Sequence, residues 1–420
     1  MEIKILNGST SIGGNFIRIE DGDRIIIFDQ GIRFDLMKKY YSGFIIPRGV
    51  KELRDIGAIP KPEWYEGANS IYISHMHLDH LGALSNIPHE LKVKLPSMAV
   101  YEDMEEKWGA SSTWLSLIPR KYYVELEELQ PFQTDENRVM AIPVSHSAYP
   151  AYAFIYFGKD ETVLYTGDFR IESFLNENVF RKLNQGDDLL TFLEENKDVK
   201  IDTSIIEGTN IGSDRIPITP SEATKIIEKL ARQRKQLLAT LHSLDVEYAY
   251  MLVSMAEKMK MQVAIASVPL TKLLEKIPNL PSKPQAIIEY VDYLTPFPRT
   301  SIENVKEKTL ILVSYREIID LIKDLNLAGS LSKDCLAIIS EPEPQIEEGS
   351  EYEVIANWFS MLGIESYRIR VSGHYYQYQL KTILEKVKPR KSIKIAHTEK
   401  PKLFLKTLKK LDTTSAVSIS

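Results

Sequence analysis

Of the eight histidines in this 420-residue chain, three fall within six consecutive positions: His75, His77 and His80, with Asp79 between the last two. Chance would place them so with a probability of roughly 10⁻⁴ to 10⁻³. The run Ile71–Ser74 just before them has the composition of a short strand. A strand presents His75 and His77 on one side, and the following turn swings Asp79 and His80 toward a neighbouring point. A helix start is expected from Asp79 to Leu84, with Asp79 in its first turn. Imidazole nitrogens and carboxylate oxygens are the ligands suited to Zn²⁺ and similar divalent ions. The cluster therefore demands a sheet whose strand ends open onto a metal-binding crevice.

Four ligands cannot fill two metal sites, and further candidates follow expected strands elsewhere. His146 comes after Arg138–Val144, Asp168 after Thr162–Tyr165, and His397 at the end of Ser392–Ala396. Singly, each reads as a structural histidine or a turn aspartate. Together, at strand ends that converge on one crevice, they complete two metal sites with Asp168 as the bridge. Two ions about 3.5–4 Å apart can stabilise both sides of a displacement.

A chain of this length exceeds one ordinary core, so two domains are expected. Strands are also expected at Ile3–Leu6, Asn15–Glu20, Arg24–Asp29, Ala153–Phe157 and Thr203–Glu207. From about Ile216 the pattern becomes helix–strand alternation: helices at Ser221–Gln233 and Val246–Lys260, strands at Gln236–Thr240, Val263–Ser267, Thr309–Ser314 and Cys335–Ser340. Such alternation implies a parallel sheet covered on both faces. The proline-rich piece Pro278–Pro298 reads as a connection. After Ile369 come Ser372-Gly373-His374, a helix from about Gln377 to Val387, and the strand ending at His397. Site-like residues thus lie on both sides of the middle block, which points to an insertion within the first domain.

The formal net charge of −6 does not suggest a general nucleic-acid binder. Bases nevertheless crowd the stretch from Arg368 to Lys410, opposed there only by Glu385 and Glu399. That run is either a solvated helix face or a local positive surface for a polyanion. No run of about eighteen apolar residues and no signal-peptide layout occurs, so a membrane location is not expected. The lone Cys335 permits no internal disulfide and fits a reducing cytoplasm.

The order His-x-His-x-Asp-His, His146, Asp168 and His397 resembles the metallo-β-lactamase fold. Asp29, in Phe28-Asp29-Gln30-Gly31, matches that fold's first motif. The resemblance implies that His75, His77 and His146 hold one metal, that Asp79, His80 and His397 hold the second, and that Asp168 bridges. It gives Asp29 a supporting structural role. Glu207-Gly208-Thr209-Asn210, Ser372-Gly373-His374 and Ile395-Ala396-His397-Thr398-Glu399 resemble the acidic, middle and final motifs of the β-CASP nucleases, in the branch of ribonuclease J and its archaeal relatives. The expected architecture is α/β, an αββα sandwich with an inserted β-CASP α/β domain whose parallel sheet is flanked by helices. The boundaries are 1–210 and 362–420 for the sandwich and 211–361 for the insertion.

What this resemblance implies is a metal-dependent ribonuclease acting on single-stranded RNA, with two divalent ions, Zn²⁺ first and Mn²⁺ the alternative. A 5′-to-3′ exonuclease of RNA processing or decay is expected, and an endonuclease of the cleavage/polyadenylation-factor type is the nearer alternative. A small-molecule (thio)ester hydrolase would leave the insertion and Glu207 without a role. A non-catalytic RNA-binding subunit conflicts with the full ligand set. His374 is the candidate proton donor or phosphate contact, and Glu207 would orient and charge it. Asp79 and Asp168 join these two as catalytic candidates, and Ser372 and Gly373 could meet a phosphate through a hydroxyl and a backbone N–H. With His374 and His397 in its midst, the basic run favours the positive-surface reading. Tyr375 and Tyr376 either stack on bases or pack. His242 reads as structural first and as an RNA contact second, and His89 as a surface residue. The oligomeric state is open, a homodimer included.

Overall fold

The computed structural model describes residues 1–41, 45–109, 114–116, 120–122, 124–291, 295–305, 307–340, 351–411 and 418–419. Successive side chains of a strand point to opposite faces, and this rule builds the first two layers. The first sheet comprises Glu2–Asn7 (β1), Phe16–Asp21 (β2), Arg24–Phe28 (β3), Ser70–Tyr72 (β4), Leu91–Leu95 (β5) and Val124–Glu128 (β6), in that spatial order. Its β3–β6 ladders are parallel. The second sheet begins with Val139–Pro143 (β7), Tyr152–Phe157 (β8), Thr162–Tyr165 (β9) and Thr203–Glu207 (β10).

Ile26 and Phe28 of β3 face the second sheet, meeting Phe154 of β8 and Tyr165 of β9 in a common core. Ile27, between them, faces the opposite layer, with Tyr101 and Trp108 of the helix Met98–Gly109. The second sheet obeys the same rule: Ala153 and Ile155 turn outward onto Leu190 and Leu384 of two covering helices. The result is helix, sheet, sheet, helix.

The chain then leaves to build a seven-stranded, wholly parallel sheet. Its strands are Gln236–Thr240 (β11), Gln262–Ala266 (β12), Gln285–Ile287 (β13), Arg299–Thr300 (β14), Thr309–Val313 (β15), Cys335–Ile339 (β16) and Glu365–Arg368 (β17). Their spatial order is β14-β13-β12-β15-β11-β16-β17. Leu237 and Ala239 of β11 pack with helices on one face, and Leu238 packs with helices on the other. The two-sided burial explains the near-continuous apolar runs of these strands. The chain returns as Ser392–Ala396 (β18) and Ser418–Ile419 (β19), and β18 pairs in parallel with β10, placing Ala396 opposite Glu207. No helix among the described residues is long and apolar enough to cross a membrane.

Several expectations are corrected. The third sheet ends at β17, past residue 361, where the insertion was expected to close. This edge strand is mostly exposed, so it carries no apolar signal. The segment Pro278–Pro298 is not merely a connection, since it holds β13; positions 292–294 lie outside the described residues. Helices Phe34–Tyr40 and Val50–Asp55 stand in a stretch for which no helix was expected. Each buries a single residue, Met37 or Leu53, too few to show a 3.6-residue period. The expected Asp79–Leu84 helix is one turn, Leu78–Leu81, followed by a 3-10 turn at Leu84–Asn86. The late helix begins at Leu380, after a 3-10 turn over Gln377–Gln379.

The loop after β3 lies directly on the turn of the His cluster: Gln30 N–H donates to the His80 carbonyl at 2.8 Å. A Cβ at Gly31 would stand 1.6 Å from the Asp79 carbonyl oxygen, so only glycine allows this approach. Gly31→Ala is expected to destabilise the chain by about 3 kcal/mol, checked by urea unfolding. A variant as stable as the parent would show that the loop can move aside.

Candidate metal centre

Five of the strands deliver donors to one place. His75 and His77 follow β4, His146 follows β7, Asp168 follows β9, Glu207 ends β10 and His397 follows β18. Three imidazole nitrogens converge where no hydrogen could satisfy them all. His75 Nε2 lies 3.1 Å from His77 Nδ1, and His146 Nε2 lies 3.3 Å from the same atom. His146 points its Nδ1 at the Gly373 carbonyl at 2.7 Å. A carbonyl only accepts, so Nδ1 carries the proton and Nε2 turns a lone pair inward. Gly373 is needed there, since a Cβ would stand 2.8 Å from the His146 ring. Burial drives all three imidazoles well below their usual range, and the neighbouring imidazoles add to it. They are therefore neutral, as ligands must be.

The second group lies beside the first. Asp168 Oδ2 stands 3.0 Å from His80 Nε2, 3.5 Å from His397 Nε2 and 3.9 Å from His75 Nε2. Asp79 Oδ2 is 3.7 Å from His80 Nε2 and 3.8 Å from His397 Nε2. Burial pushes His397 down to about 3. Burial also opposes charge on His80, but Asp168, Asp29 and Asp79 outweigh it and hold the ring up.

The donor set fits divalent cations. Ligand atoms of His75, His77 and His146 lie within 4.8 Å of one another, as do those of Asp79, His80 and His397 and those of His75, His80 and Asp168. Asp168 Oδ1 is buried without a hydrogen-bond partner among the described residues, and His80 Nε2, 3.0 Å from Asp168 Oδ2, makes no well-aligned hydrogen bond there. Such orphaned polar atoms are costly unless a cation takes up their lone pairs.

The supporting shell is equally specific. The Asp29 carboxylate accepts from the Ser74 N–H at 2.7 Å, the Ser74 hydroxyl at 2.9 Å, the Tyr165 hydroxyl at 2.6 Å and His80 Nδ1 at 2.7 Å. It thereby fixes the His80 tautomer with Nε2 facing inward. Asn15 does the same for His397: its Oδ1 lies 3.2 Å from His397 Nδ1, and its amide donates to the Tyr165 hydroxyl at 3.0 Å. The sequence singled out Asp29 by motif. It missed Ser74, Tyr165 and Asn15, whose residue types carry no metal-site signal.

His374 comes to the same centre, with Nδ1 3.1 Å from Glu207 Oε1 and 3.8 Å from Asp168 Oδ2. Burial resists charge on it, but Glu207 and Asp168 raise it above the ordinary range. Glu207 is fully buried, and its other oxygen accepts from the Thr209 N–H at 2.8 Å. Ser372 Oγ accepts from the Asn210 amide at 2.9 Å and from the His374 N–H at 3.2 Å.

His77, Asp79, Asp168, Ser372, His374 and His397 line a cavity of about 680 Å³ between the sandwich and the inserted sheet. Its far wall is made by the residues after β11, β15, β16 and β17: His242 and Ser243, Ser314 to Arg316, Ser340 and Arg370. His242 belongs to the centre's surroundings, its ring 5.1 Å from that of His77. His89 is exposed. Tyr375 packs: it is buried, and its hydroxyl donates to the Glu207 carbonyl. Tyr376 lines the cavity while its hydroxyl bonds to the backbone of Ile218. The basic run divides. Arg370 and Lys400 line the cavity, whereas Lys386, Arg390 and Lys391 pair with Glu194, Asp202 and Glu161.

Residues 69–197 match the family model of the metallo-beta-lactamase superfamily. Ribonuclease J of Helicobacter pylori strain 26695 is 22% identical over 414 residues, 93% of this chain and 55% of that protein. Ribonuclease J of Pyrococcus abyssi is 24% identical over 177 residues, 41% of this chain and 39% of that protein. Residues 69–197 thus form a metallo-β-lactamase domain, and the chain is similar to ribonuclease J proteins over most of its length. The chain covers 55% of the length of the first of these relatives and 39% of the second. A crystal structure of a protein of unknown function from Enterococcus faecalis V583 superposes over all of this chain and 97% of its own, with a TM-score of 0.71 at 18% identity. At that identity the match speaks for the fold alone.

Asp29→Asn keeps the side chain's size but removes the charge that orients His80. Zn²⁺ affinity is expected to fall about 10- to 100-fold, read by competition with a chromophoric chelator. Wild-type affinity in this variant would contradict the orienting role of Asp29.

Proposed function

We propose that this chain is a metal-dependent ribonuclease that hydrolyses phosphodiester bonds of single-stranded RNA, working from the 5′ end. The observation that carries this reading is the Glu207–His374 pair, held against Asp168 where the metal cluster opens into the cavity. A small-molecule hydrolase has no use for that pair, nor for a second domain that forms the cavity's far wall. The ligand assignment follows the clusters: His75, His77 and His146 for one ion, Asp79, His80 and His397 for the other, and Asp168 between them. Zn²⁺ suits this set, with Mn²⁺ the alternative. The inserted unit is taken as residues 211–368, so that it includes β17.

Two divalent ions bound here supply positive charge to the phosphate oxygens and lower the pKa of water. The protein's own groups supply the rest. Glu207 fixes the His374 ring through Nδ1, which leaves Nε2 to hand a proton to the departing oxygen. Asn210 holds Ser372, and with it the start of the His374 loop, against the end of β10. Arg370 and Lys400 give the cavity positive charge for neighbouring phosphates. The 5′-to-3′ direction is supported by the ribonuclease J resemblance.

Single-stranded RNA labelled at either end tests the proposal. Chelator-sensitive release of 5′-labelled mononucleotide is expected; internal fragments would instead mean an endonuclease. Absence of chelator-sensitive cleavage with both labels would overturn the nuclease reading. His374→Ala is expected to lower kcat about 10²- to 10⁴-fold while metal content, measured by plasma emission, stays at the parent value. A parallel loss of metal would make His374 a ligand.

A further inference from the structure

Behind His146 lies a buried polar cluster that the proposed reaction does not use. Glu247, in the first turn of the helix Val246–Lys258, belongs to the inserted unit, yet its carboxylate is buried against the sandwich. One oxygen, Oε2, accepts from Arg170 Nη2, the Ser145 hydroxyl and the Ser173 hydroxyl, each at 2.8 Å, and from the Phe174 N–H at 3.3 Å. Arg170 is buried too, two residues after Asp168. Its Nη2 also donates to the His146 carbonyl at 3.1 Å, and its Nε donates to the Ser145 hydroxyl at 2.9 Å. Asp245 adds a second carboxylate, 3.7 Å from Arg170 Nη2.

We propose that Glu247 is a positioning residue for the His75–His77–His146 metal site, acting through Arg170 and Ser145. The proposal rests on the metal reading of that cluster and is independent of the substrate. Its basis is connectivity. Glu247 grips the hydroxyl of Ser145, next to the ligand, and aims the guanidinium that holds the carbonyl of His146 itself. The His146 ring is tethered separately, by the Gly373 carbonyl. From the same turn of the inserted unit, His242 stands against the His77 ring. The stretch from His242 to Glu247 thus meets one ligand, His77, directly and reaches a second, His146, through Arg170 and Ser145. The inserted unit is thereby part of the metal site's supporting shell, and the fit between the two domains sets the affinity of that site.

A buried ion pair is weak evidence for stability, because an apolar pair of similar volume often replaces it without loss. An apolar pair cannot, however, hold the His146 carbonyl and the Ser145 hydroxyl. That difference separates positioning from packing. Zn²⁺ is titrated into the metal-free full chain against a chromophoric chelator, and Co²⁺ absorption reports coordination. Glu247→Gln is expected to weaken one of two ions about 10- to 100-fold and to alter the Co²⁺ bands of that site, leaving the other ion unchanged. The double variant Arg170→Met with Glu247→Leu removes both charges at once and is expected to keep a cooperative melt without regaining the affinity. Parent-like binding of both ions by Glu247→Gln would overturn the proposal, as would affinity that recovers together with melting temperature in the double variant. A parent chain that binds no Zn²⁺ would overturn both this proposal and the metal reading. Since no RNA is present, a failed nuclease assay would not affect the result.

Discussion

The parallel ladder between β10 and β18 is the constraint on which the molecule depends. Thr203 to Glu207 pair residue by residue with Ser392 to Ala396, across a separation that contains the whole third sheet. This pairing closes the second sheet after the excursion, so the sandwich stays one folded unit although its chain is interrupted. It also decides the chemistry. Strands paired in parallel end on the same side, so Glu207 and His397 emerge together where β9 delivers Asp168. Had β18 paired antiparallel, His397 would lie at the opposite end of the sheet.

Within the centre, burial sets the protonation pattern. Imidazoles packed together in an apolar setting lose their charge, and His75, His77 and His146 thereby become lone-pair donors. Two histidines escape this trend because carboxylates face them, His80 through Asp168 and Asp29 and His374 through Glu207 and Asp168. One sheet edge thus carries lone-pair donors beside an imidazole that carboxylates bias toward its charged form. Burial sets the first role and a neighbouring acid the second, since the residue type is the same.

The inserted unit contributes a wall and a brace. Its parallel strands end at the cavity, as the ends of open α/β sheets do where successive connections diverge, and the residues after β11, β15 and β16 face the metal cluster. Behind the cluster, the same unit reaches Ser145 and Arg170 through Glu247. The two domains therefore share both the cavity surface and the rear support of a ligand.

Much was legible in the sequence because the signals were chemical or periodic. Histidines are rare in this chain, so their clustering stood out, and central strands such as β11, β15 and β16 are buried on both faces, so they read as apolar runs. The exposed edge strand β17 and the short helices at Phe34 and Val50 bury too little to leave a pattern. Asn15, Ser74, Tyr165, Arg170 and Glu247 were illegible for another reason. Each acts through hydrogen bonds to residues distant in the chain, and a serine or asparagine does not announce its partners. The sequence by itself determined which side chains are of metal-binding type and that most of them follow strands, because those depend on residue type and local pattern. Which nitrogen of each histidine faces inward, which acid charges which imidazole, and how the inserted unit braces His146 were decided only by tertiary packing, because they depend on contacts between segments up to hundreds of residues apart.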